Sequence, residues 1–274
     1  MTTNRKIRRP RLIAAASLAT ITLLASLPAQ AEGLFRIRER LAERRAEQAE
    51  AKPNASERDQ SFVISIDGRQ RAYLVHLPRG YQPGPKKVPL VLALHGGGGD
   101  MEHMARDELY GLKSKSDEAG FIVVFPNGIG ALRGNKLATW NAGNCCAKAR
   151  DEKVNDVKFI RNMVAQLQQR YAVDQDRVFA IGMSNGGMMS YRLACEAADM
   201  LKGIMSVAGT DNTQTCQPSR PVAVLHVHAR DDDHVLFNGG AGNTFRDPKQ
   251  VTNFTSVPDT IRKWTRLNHT STAP

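Results

Sequence analysis

The stretch "RVFAIGMSNGG", residues 177–187, decides the fold of this protein. It places the pattern G-x-S-x-G directly between an apolar run typical of a buried strand and a segment with helical periodicity. A serine in such a strand-to-helix turn has a strained backbone, and glycines flank it because a Cβ would collide there. The turn aims the hydroxyl of Ser184 off the sheet and leaves the N–H of Asn185 at a helix N-terminus. The alternative is an ordinary turn that contains a serine.

Outward from this turn, strands and helices alternate along the chain. Two alternating runs around Asp67-Gly68 predict a β-hairpin. The remaining predicted strands are apolar and lie at 89–94, 121–128, 177–182, 203–209 and 221–229. The predicted helices lie at 102–119, 156–171, 186–198 and 257–267. Because apolar strands alternate with helices, the sequence predicts an α/β fold: a mostly parallel sheet with helices on both faces.

The N-terminal part of the chain has the composition of a targeting segment. Residues 1–31 combine five basic groups and no acid, an apolar run over 12–27, and an A-x-A cleavage site. They predict a signal peptide and a secreted protein, extracellular or periplasmic, with no membrane attachment after cleavage. Residues 32–60 are charged, with too few apolar positions to bury a face, and are interpreted as a helical linker to a domain over 61–274.

The charge balance argues against a nucleic-acid partner. The formal net charge is +11, and removing the five basic groups of residues 1–31 leaves +6. Residues 32–59 carry seven basic and seven acidic residues and add no net charge. No basic stripe is interleaved with aromatic residues, as a nucleic-acid surface would require.

Four cysteines beyond the predicted signal peptide are typical of an oxidising compartment. They allow three pairings, and the sequence alone does not choose among them. A bond between the neighbours Cys145 and Cys146 would be strained, so pairing at a distance is expected. Cys195 and Cys216 are the favoured pair, because one ends a predicted helix and the other follows the next predicted strand. No C-x-x-C pair accompanies them, so no zinc site is predicted.

The stretch "HGGGG" at 95–99 follows a predicted strand and contains four glycines. Glycines let the backbone approach a substrate carbonyl and point N–H groups at it, so Gly96 and Gly97 are candidate oxyanion donors together with Asn185. A phosphate-binding loop is the rival reading, but no Lys-Ser/Thr pair follows the glycines. His95 is interpreted as a side chain that fixes the loop rather than as a base.

Taken together, six stretches resemble the exported α/β-hydrolases of the polyhydroxybutyrate depolymerase-like and feruloyl esterase-like branch, relatives of carbohydrate esterase family 1. The stretches are "LHGGGGD", "VFPNG", "TWNAGNCCAKA", "VNDVKFI", "DQDRVFAIGMSNGGMMSYRLACE" and "LHVHARDDDHVLFNGG". The resemblance implies an α/β-hydrolase fold with Ser184 as the nucleophile. It also implies that Trp140 and Phe237 line the substrate cleft, with His95 beside them, although each could instead be packing.

The acid of the triad is expected after the strand at 221–229, where three carboxylates follow one another. Members of this branch read H-G-T-x-D in that loop, so the resemblance assigns the role to Asp232. The sequence departs from the pattern at Ala229, Arg230 and Asp233.

The sequence lacks the segment in which the resembled branch carries its activating histidine. In the resembled branch it lies in a G-G-H-x-W-P loop after one further strand, and no such segment lies between Asp232 and Pro274. We therefore expect a chain truncated at its C-terminus, without the last strand and the histidine loop. His269 remains as a candidate base, and His234 is a poorer one because it lies only two residues from the acid.

These observations predict a secreted serine esterase that needs no metal or organic cofactor. The expected substrates are small or polymeric carboxylic esters, either hydroxybutyrate oligomers or feruloyl and acetyl esters. Two alternatives stay open: a peptidase of the same fold, and a binding protein that is catalytically dead because its histidine is absent.

Overall fold

The computed structural model describes residues 58–130, 132, 135–242 and 252–271. The predicted signal peptide and nearly all of the predicted linker lie outside these residues. Within them, no helix is long and apolar enough to cross a membrane.

The described residues form strands and helices in close alternation. The strands are β1 (Asp59–Ile66), β2 (Arg69–His76), β3 (Val88–Leu94), β4 (Ile122–Pro126), β5 (Ile129–Gly130), β6 (Ala138–Thr139), β7 (Val173–Met183), β8 (Gly203–Val207), β9 (Ala223–Val227), β10 (Gly240–Ala241) and β11 (Asn253–Phe254). The helices are α1 (Met101–Met104), α2 (Asp107–Tyr110), α3 (Leu112–Ala119), α4 (Ala147–Asp151), α5 (Asp156–Arg170), α6 (Asn185–Glu196) and α7 (Val257–Leu267).

Seven strands form one sheet in the order β1-β2-β4-β3-β7-β8-β9. The hairpin of β1 and β2 turns at Asp67 and Gly68, both with positive φ, and is antiparallel to the rest. All pairings from β4 to β9 are parallel. The predicted α/β fold is therefore confirmed, with β3 and β7, which carry the glycine loop and the serine turn, side by side in its centre.

Alternate residues of the central strands enter two hydrophobic clusters. Leu92 and Val124 pack in the larger cluster, which includes residues of α5 and α6 and Trp264 of α7. Ala93 and Val123 pack in a smaller cluster with residues around α1. Helices therefore cover both faces, as expected from the apolar strands.

The single helix predicted over 102–119 is wrong, because this segment forms three short helices. Asp100 caps α1, its side chain accepting a hydrogen bond from the His103 N–H (2.7 Å). Gly111 then takes a left-handed conformation, φ +62°, which ends α2 and starts α3.

The strand predicted over 221–229 has less cover than its apolar composition suggests. Only alternate residues of β9 are sheltered, and Leu225 and Val227 are 56% and 46% exposed. Among the described strands, β9 pairs with β8 alone and is the last of the sheet. One edge and part of one face of β9 therefore lack the cover that its composition led us to expect.

The structure pairs all four cysteines. Cys195 at the end of α6 bonds to Cys216, as expected. Cys145 and Cys146 are also bonded to each other, contrary to expectation, and the peptide bond between them is cis.

Candidate active site

Ser184 lies in the sharp turn between β7 and α6. Its backbone has φ +52° and ψ −121°, a conformation that non-glycine residues rarely adopt. A Cβ on Gly182 would clash with the backbone of Gly186, and one on Gly186 would clash with the backbone of Leu94. The turn is therefore possible only with glycine at both flanking positions. The Ser184 N–H donates to the Val207 carbonyl (2.7 Å). The serine is half-exposed and lies at the carboxyl end of the parallel strands.

The side chain of Asn185 ties this turn to the loop after β6. Its Oδ1 accepts a hydrogen bond from the Trp140 N–H (2.7 Å), and its Nδ2 donates to the Trp140 carbonyl (3.0 Å). The side chain is buried, so neither backbone group of Trp140 has water as a substitute. Nothing local in the sequence indicates this pairing, because Trp140 and Asn185 are 45 residues apart.

The glycine loop after β3 lies directly against the serine turn. A Cβ on Gly96 would come within 3.8 Å of the Ser184 Cβ, and one on Gly97 within 3.6 Å of the Asn185 Cβ. The loop is anchored by the Gly98 N–H, which donates to the Ala138 carbonyl (2.8 Å). Within the described part of the chain, the N–H groups of Gly97 and Asn185 donate to no protein atom. Two amides beside Ser184 are thus available to a ligand oxygen.

His95 and Trp140 support this loop from beneath. The Nδ1–H of His95 donates to the Gly96 carbonyl (2.8 Å), while Nε2 accepts from the Gly128 N–H (3.0 Å). Burial lowers the pKa of His95 to about 4, so the ring is neutral at physiological pH. Trp140 packs on it with ring centroids 4.8 Å apart and donates its Nε1–H to the His95 carbonyl (2.9 Å).

The expectation that these two residues line the substrate cleft is therefore corrected. Trp140 is fully buried and His95 is 1% exposed, because both rings fill the space between the glycine loop and the serine turn. They hold the loop in place rather than contact a ligand. The reading of His95 as a residue that fixes the loop agrees with its two hydrogen bonds.

A buried ion pair holds Asn141, the residue that follows Trp140 in the loop after β6. Arg71 donates to Asp156 (2.6 Å), and both side chains are almost completely buried. The other oxygen of Asp156 accepts from the Asn141 N–H (2.8 Å). Burial raises the pKa of Asp156, while the neighbouring Arg71 opposes that rise. The pair connects β2, α5 and the loop that carries Trp140.

Asp232 follows β9, and its side chain organises the loop it stands in. Its Oδ1 accepts from the N–H groups of His234 and Val235, each at 2.9 Å, so the carboxylate is held by the backbone. Asp231 and Asp233 are exposed, whereas Asp232 is half-buried. Of the three consecutive carboxylates, only Asp232 has both a fixed position and partial burial.

A chain of histidines runs from α6 to this carboxylate. The Tyr191 hydroxyl lies 2.9 Å from Nδ1 of His226, whose Nε2 lies 3.2 Å from Nδ1 of His228. Nε2 of His228 is 2.7 Å from the Val235 carbonyl and 3.5 Å from Asp232 Oδ2. Burial, and then the neighbouring His228, lowers the pKa of His226 to about 4. Both nitrogens of His228 are engaged, so it braces the acid loop.

Phe237 lies on the far side of the same loop. Its ring meets that of His228 edge to face, with centroids 6.1 Å apart, and the Arg230 guanidinium lies 5.5 Å from its centroid. It is half-buried. Its ring therefore contacts the acid loop, and its carbonyl accepts a hydrogen bond from the Val257 N–H at the start of α7 (2.9 Å).

The structure does not bring His269 to Ser184. The side chain of the preceding Asn268 exchanges two hydrogen bonds with the backbone of Val222, just before β9 begins (2.7 and 3.0 Å). Ser184 lies at the opposite, carboxyl end of the parallel strands, and a strand of the length of β9 spans roughly 16 Å. His234 is exposed and pairs with Asp233. Neither candidate base contacts the serine hydroxyl.

Among the described residues, two groups of side chains have the composition of a metal site, and neither is a strong candidate. Cys195 and Cys216 lie near Asp211, but both sulfurs are consumed by their disulfide. Asp232, Asp233 and His234 offer ligand atoms within 4.8 Å of one another, but they are largely exposed. One oxygen of Asp232 is already saturated by two backbone N–H groups.

The parallel sheet, the strained serine turn at a strand end and the adjacent glycine loop define an α/β-hydrolase fold. Residues 65–271 match the family described as "Putative esterase", and the chain belongs to that family.

Individual relatives agree with this assignment. NocK of Nocardia uniformis subsp. tsuyamanensis, described in the same words, is 34% identical over 192 residues, which cover 69% of this chain and 53% of NocK. Feruloyl esterase B of Piromyces equi is 28% identical over 203 residues, covering 72% of this chain and 35% of that enzyme. The chain thus spans about half of the first relative and a third of the second.

A solved structure has the same fold. The crystal structure of native sOPH superposes with a TM-score of 0.52 at 19% identity, over 74% of each chain.

Proposed function

We propose that this chain carries the nucleophile and the oxyanion site of a secreted serine esterase. Ser184 Oγ attacks the ester carbonyl carbon, and the carbonyl oxygen takes up the displaced electron pair. The N–H groups of Asn185 and of Gly96 or Gly97 bind that oxyanion. The oxyanion then re-forms the carbonyl, and the bond to the alcohol oxygen breaks. The alcohol leaves with the proton that the Ser184 hydroxyl released, and water hydrolyses the acyl-enzyme to regenerate the serine. The observation that carries the proposal is the positive φ of Ser184 beside the glycine loop.

Asp232 is proposed as the acid that orients the base. Two backbone N–H groups hold its Oδ1, and its Oδ2 lies 3.5 Å from Nε2 of His228. Asp232 is half-buried, whereas Asp231 and Asp233 are exposed. All seven histidines of the sequence are among the described residues, and none hydrogen-bonds to Ser184.

The proposed substrates are carboxylic esters of the kind that occur on plant polymers or polyesters. The similarity to a feruloyl esterase supports a feruloyl or related acyl group. Acetyl esters and hydroxybutyrate oligomers stay within the proposal, because an oxyanion site of backbone N–H groups binds the carbonyl oxygen that all these esters share. Secretion is proposed from residues 1–31.

A fluorophosphonate probe and p-nitrophenyl butyrate test this function. The wild-type chain should form a covalent adduct at Ser184, and Ser184→Ala should form none and show no hydrolysis above background. Ser65→Ala, which removes an exposed serine of β1, is the matched control and should behave as the wild type. Equal labelling of the wild type and Ser184→Ala would end the serine-esterase proposal.

The absence of a histidine partner at Ser184 favours a second candidate, a binding protein with a hydrolase cleft. It predicts no adduct at Ser184 even after prolonged exposure to the probe. Saturable binding of an ester without turnover would be its positive sign.

A further inference from the structure

A cleft of about 680 Å³ opens beside α6, outside the serine turn. One wall is the loop that continues from Trp140, whose N–H donates to Asn185. The other wall is formed by residues 213–215, in the segment that continues from Gly209. A Cβ on Gly209 would clash with the Ser184 carbonyl. Both walls therefore extend from segments that contact the turn carrying the nucleophile.

The two walls are held together by direct contacts. The Asn144 N–H donates to the Asn212 carbonyl (3.1 Å), and Gln214 Nε2 donates to Asn144 Oδ1 (2.8 Å). Gly143 has φ +86°, and a Cβ there would lie 2.5 Å from the Asn212 oxygen. Only glycine permits this close approach, so the cleft is preformed.

The lining of the cleft suits a ligand rich in hydroxyl groups. Its polar groups include the side-chain amides and hydroxyls of Asn141, Asn144, Thr213, Gln214, Thr215 and Asn253. Among the described residues of the lining, none is aliphatic or aromatic. Amides and hydroxyls both donate and accept hydrogen bonds, which matches a sugar ring better than an apolar acyl chain.

The charge of the cleft is positive. Arg150, Lys153 and Arg192 line it against one acid, Glu196, which gives 3 − 1 = +2. Arg192 is paired with Glu196 (2.7 Å), and Arg150 is paired with Asp151 (2.7 Å). Lys153 is exposed and has no ion-pair partner among the described residues. A free cation thus stands at the rim of a polar, preformed cleft.

We propose that this cleft binds an acidic sugar, a uronosyl unit of the carbohydrate that carries the ester bond. Lys153 binds the carboxylate, and the amides and hydroxyls of the two walls bind the ring hydroxyls. This inference rests on the proposed function, because the sugar is the alcohol portion of the ester. The inference specifies that the carbohydrate part of the substrate is negatively charged, a property that neither the fold nor the oxyanion site specifies.

Calorimetric titration of the intact protein with a galacturonate trisaccharide, and with the galactose trisaccharide of the same linkage, tests the proposal. The two ligands differ only in the carboxylate. At low salt we expect the acidic trisaccharide to bind ~10-fold more tightly, and added salt should reduce the difference because the lysine is exposed. Equal binding of the two sugars would overturn the proposal.

Variants then locate the binding site. Lys153→Gln should weaken binding of the acidic trisaccharide by roughly 3-fold to 10-fold and leave the neutral one unchanged. Lys115→Gln, which removes an exposed lysine of α3, is the matched control and should have no effect. If the double variant Lys153→Gln with Arg150→Gln binds the acidic sugar as well as the wild type does, the site is elsewhere and the inference fails.

The readouts distinguish this inference from the proposed function. Calorimetry measures trisaccharide binding without turnover. The inference about the sugar site therefore remains testable even if p-nitrophenyl butyrate is not hydrolysed. Inorganic phosphate at equal ionic strength should not displace the trisaccharide; equal displacement would indicate a general anion site and would overturn the assignment to a sugar.

Discussion

Ser184 holds its hydroxyl in place at the expense of backbone strain. Positive φ in a residue with a Cβ raises the free energy of the folded state by about 1–3 kcal/mol. The turn persists because its neighbours fix it on both sides: the Ser184 N–H donates to Val207, and its carbonyl accepts from the Met188 N–H (3.0 Å). Strain at a single displayed hydroxyl is typical of a functional residue.

Replacing this residue should therefore change stability in a specific way. Ser184→Gly should raise the free energy of unfolding by about 1 kcal/mol, because glycine adopts positive φ without a steric penalty. Ser184→Ala keeps a Cβ and should unfold close to the wild type. Urea denaturation of the three proteins measures both effects. A glycine variant less stable than the alanine variant would show that the turn does not store this strain.

His95 should make stability depend on pH. Burial holds its folded-state pKa at about 4, below the ~6.5 of an unfolded chain. The neutral ring is favoured in the folded state, so its contribution is complete above pH ~6.5 and is lost as the pH falls toward 4. We expect a loss of roughly 3 kcal/mol across this window.

Unfolding measured between pH 7 and pH 4 checks this expectation. His95→Gln should be less stable at pH 7 and should show a flatter pH profile, since glutamine does not titrate. The remaining slope comes in part from His226, whose pKa is also lowered to about 4. Ser65→Ala, which alters an exposed side chain that does not titrate, should keep the wild-type profile. A profile unchanged by His95→Gln would contradict the assignment.

At the scale of elements, β9 differs most from what its sequence suggests. Its composition is that of a buried strand, yet Leu225 and Val227 face outward and one edge carries unpaired backbone groups among the described residues. Exposed apolar edge strands template pairing with other chains. Met205 and Val207, their neighbours on β8, are only half-buried and extend this apolar surface.

Polar substitution on β9 should reduce aggregation. Leu225→Thr with Val227→Thr should lower light scattering during heating and change the free energy of unfolding by less than ~0.5 kcal/mol, because both side chains are exposed. Val63→Thr, at a 60% exposed position on β1, is the matched control. Equal scattering by all three proteins would mean that aggregation starts elsewhere.

For the whole molecule, the histidines decide how much chemistry this chain can perform. His76 contacts Asp59 and Asp117, His95 holds the glycine loop, and His103 contacts Arg106. His226 and His228 brace the acid loop, His234 pairs with Asp233, and His269 lies at the other end of the sheet. A serine protease-type triad that lacks one member keeps only about 10³–10⁴-fold acceleration over water.

Added imidazole should therefore rescue the chain. Hydrolysis of p-nitrophenyl butyrate should be slow in buffer alone and should rise several-fold with millimolar imidazole, beyond the rate of imidazole-catalysed hydrolysis in the absence of protein. The increase should vanish in Ser184→Ala. Fast turnover without imidazole that is lost in His269→Ala would instead identify His269 as the base and contradict the arrangement described above.

Much of the fold could be predicted from the sequence, because its signals lie among adjacent residues. The serine turn, the glycine loop after β3 and the alternation of strands and helices depend on local periodicity and on glycines at fixed offsets. The division of residues 101–119 into three helices was missed, although Gly111 marks the break. The small strand pairs β5–β6 and β10–β11 give no comparable signal, since each strand has only two residues.

The sequence by itself therefore determined the α/β class, the position of the serine turn and the glycine loop beside it. Only the tertiary structure decided that Asp232 is the held carboxylate, that His95 and Trp140 are buried supports, and that His269 lies away from Ser184. The physical reason is the range of the interactions. A turn or a strand is specified by neighbours along the chain, whereas burial and hydrogen bonds, such as that between Asn185 and Trp140, join residues far apart in sequence.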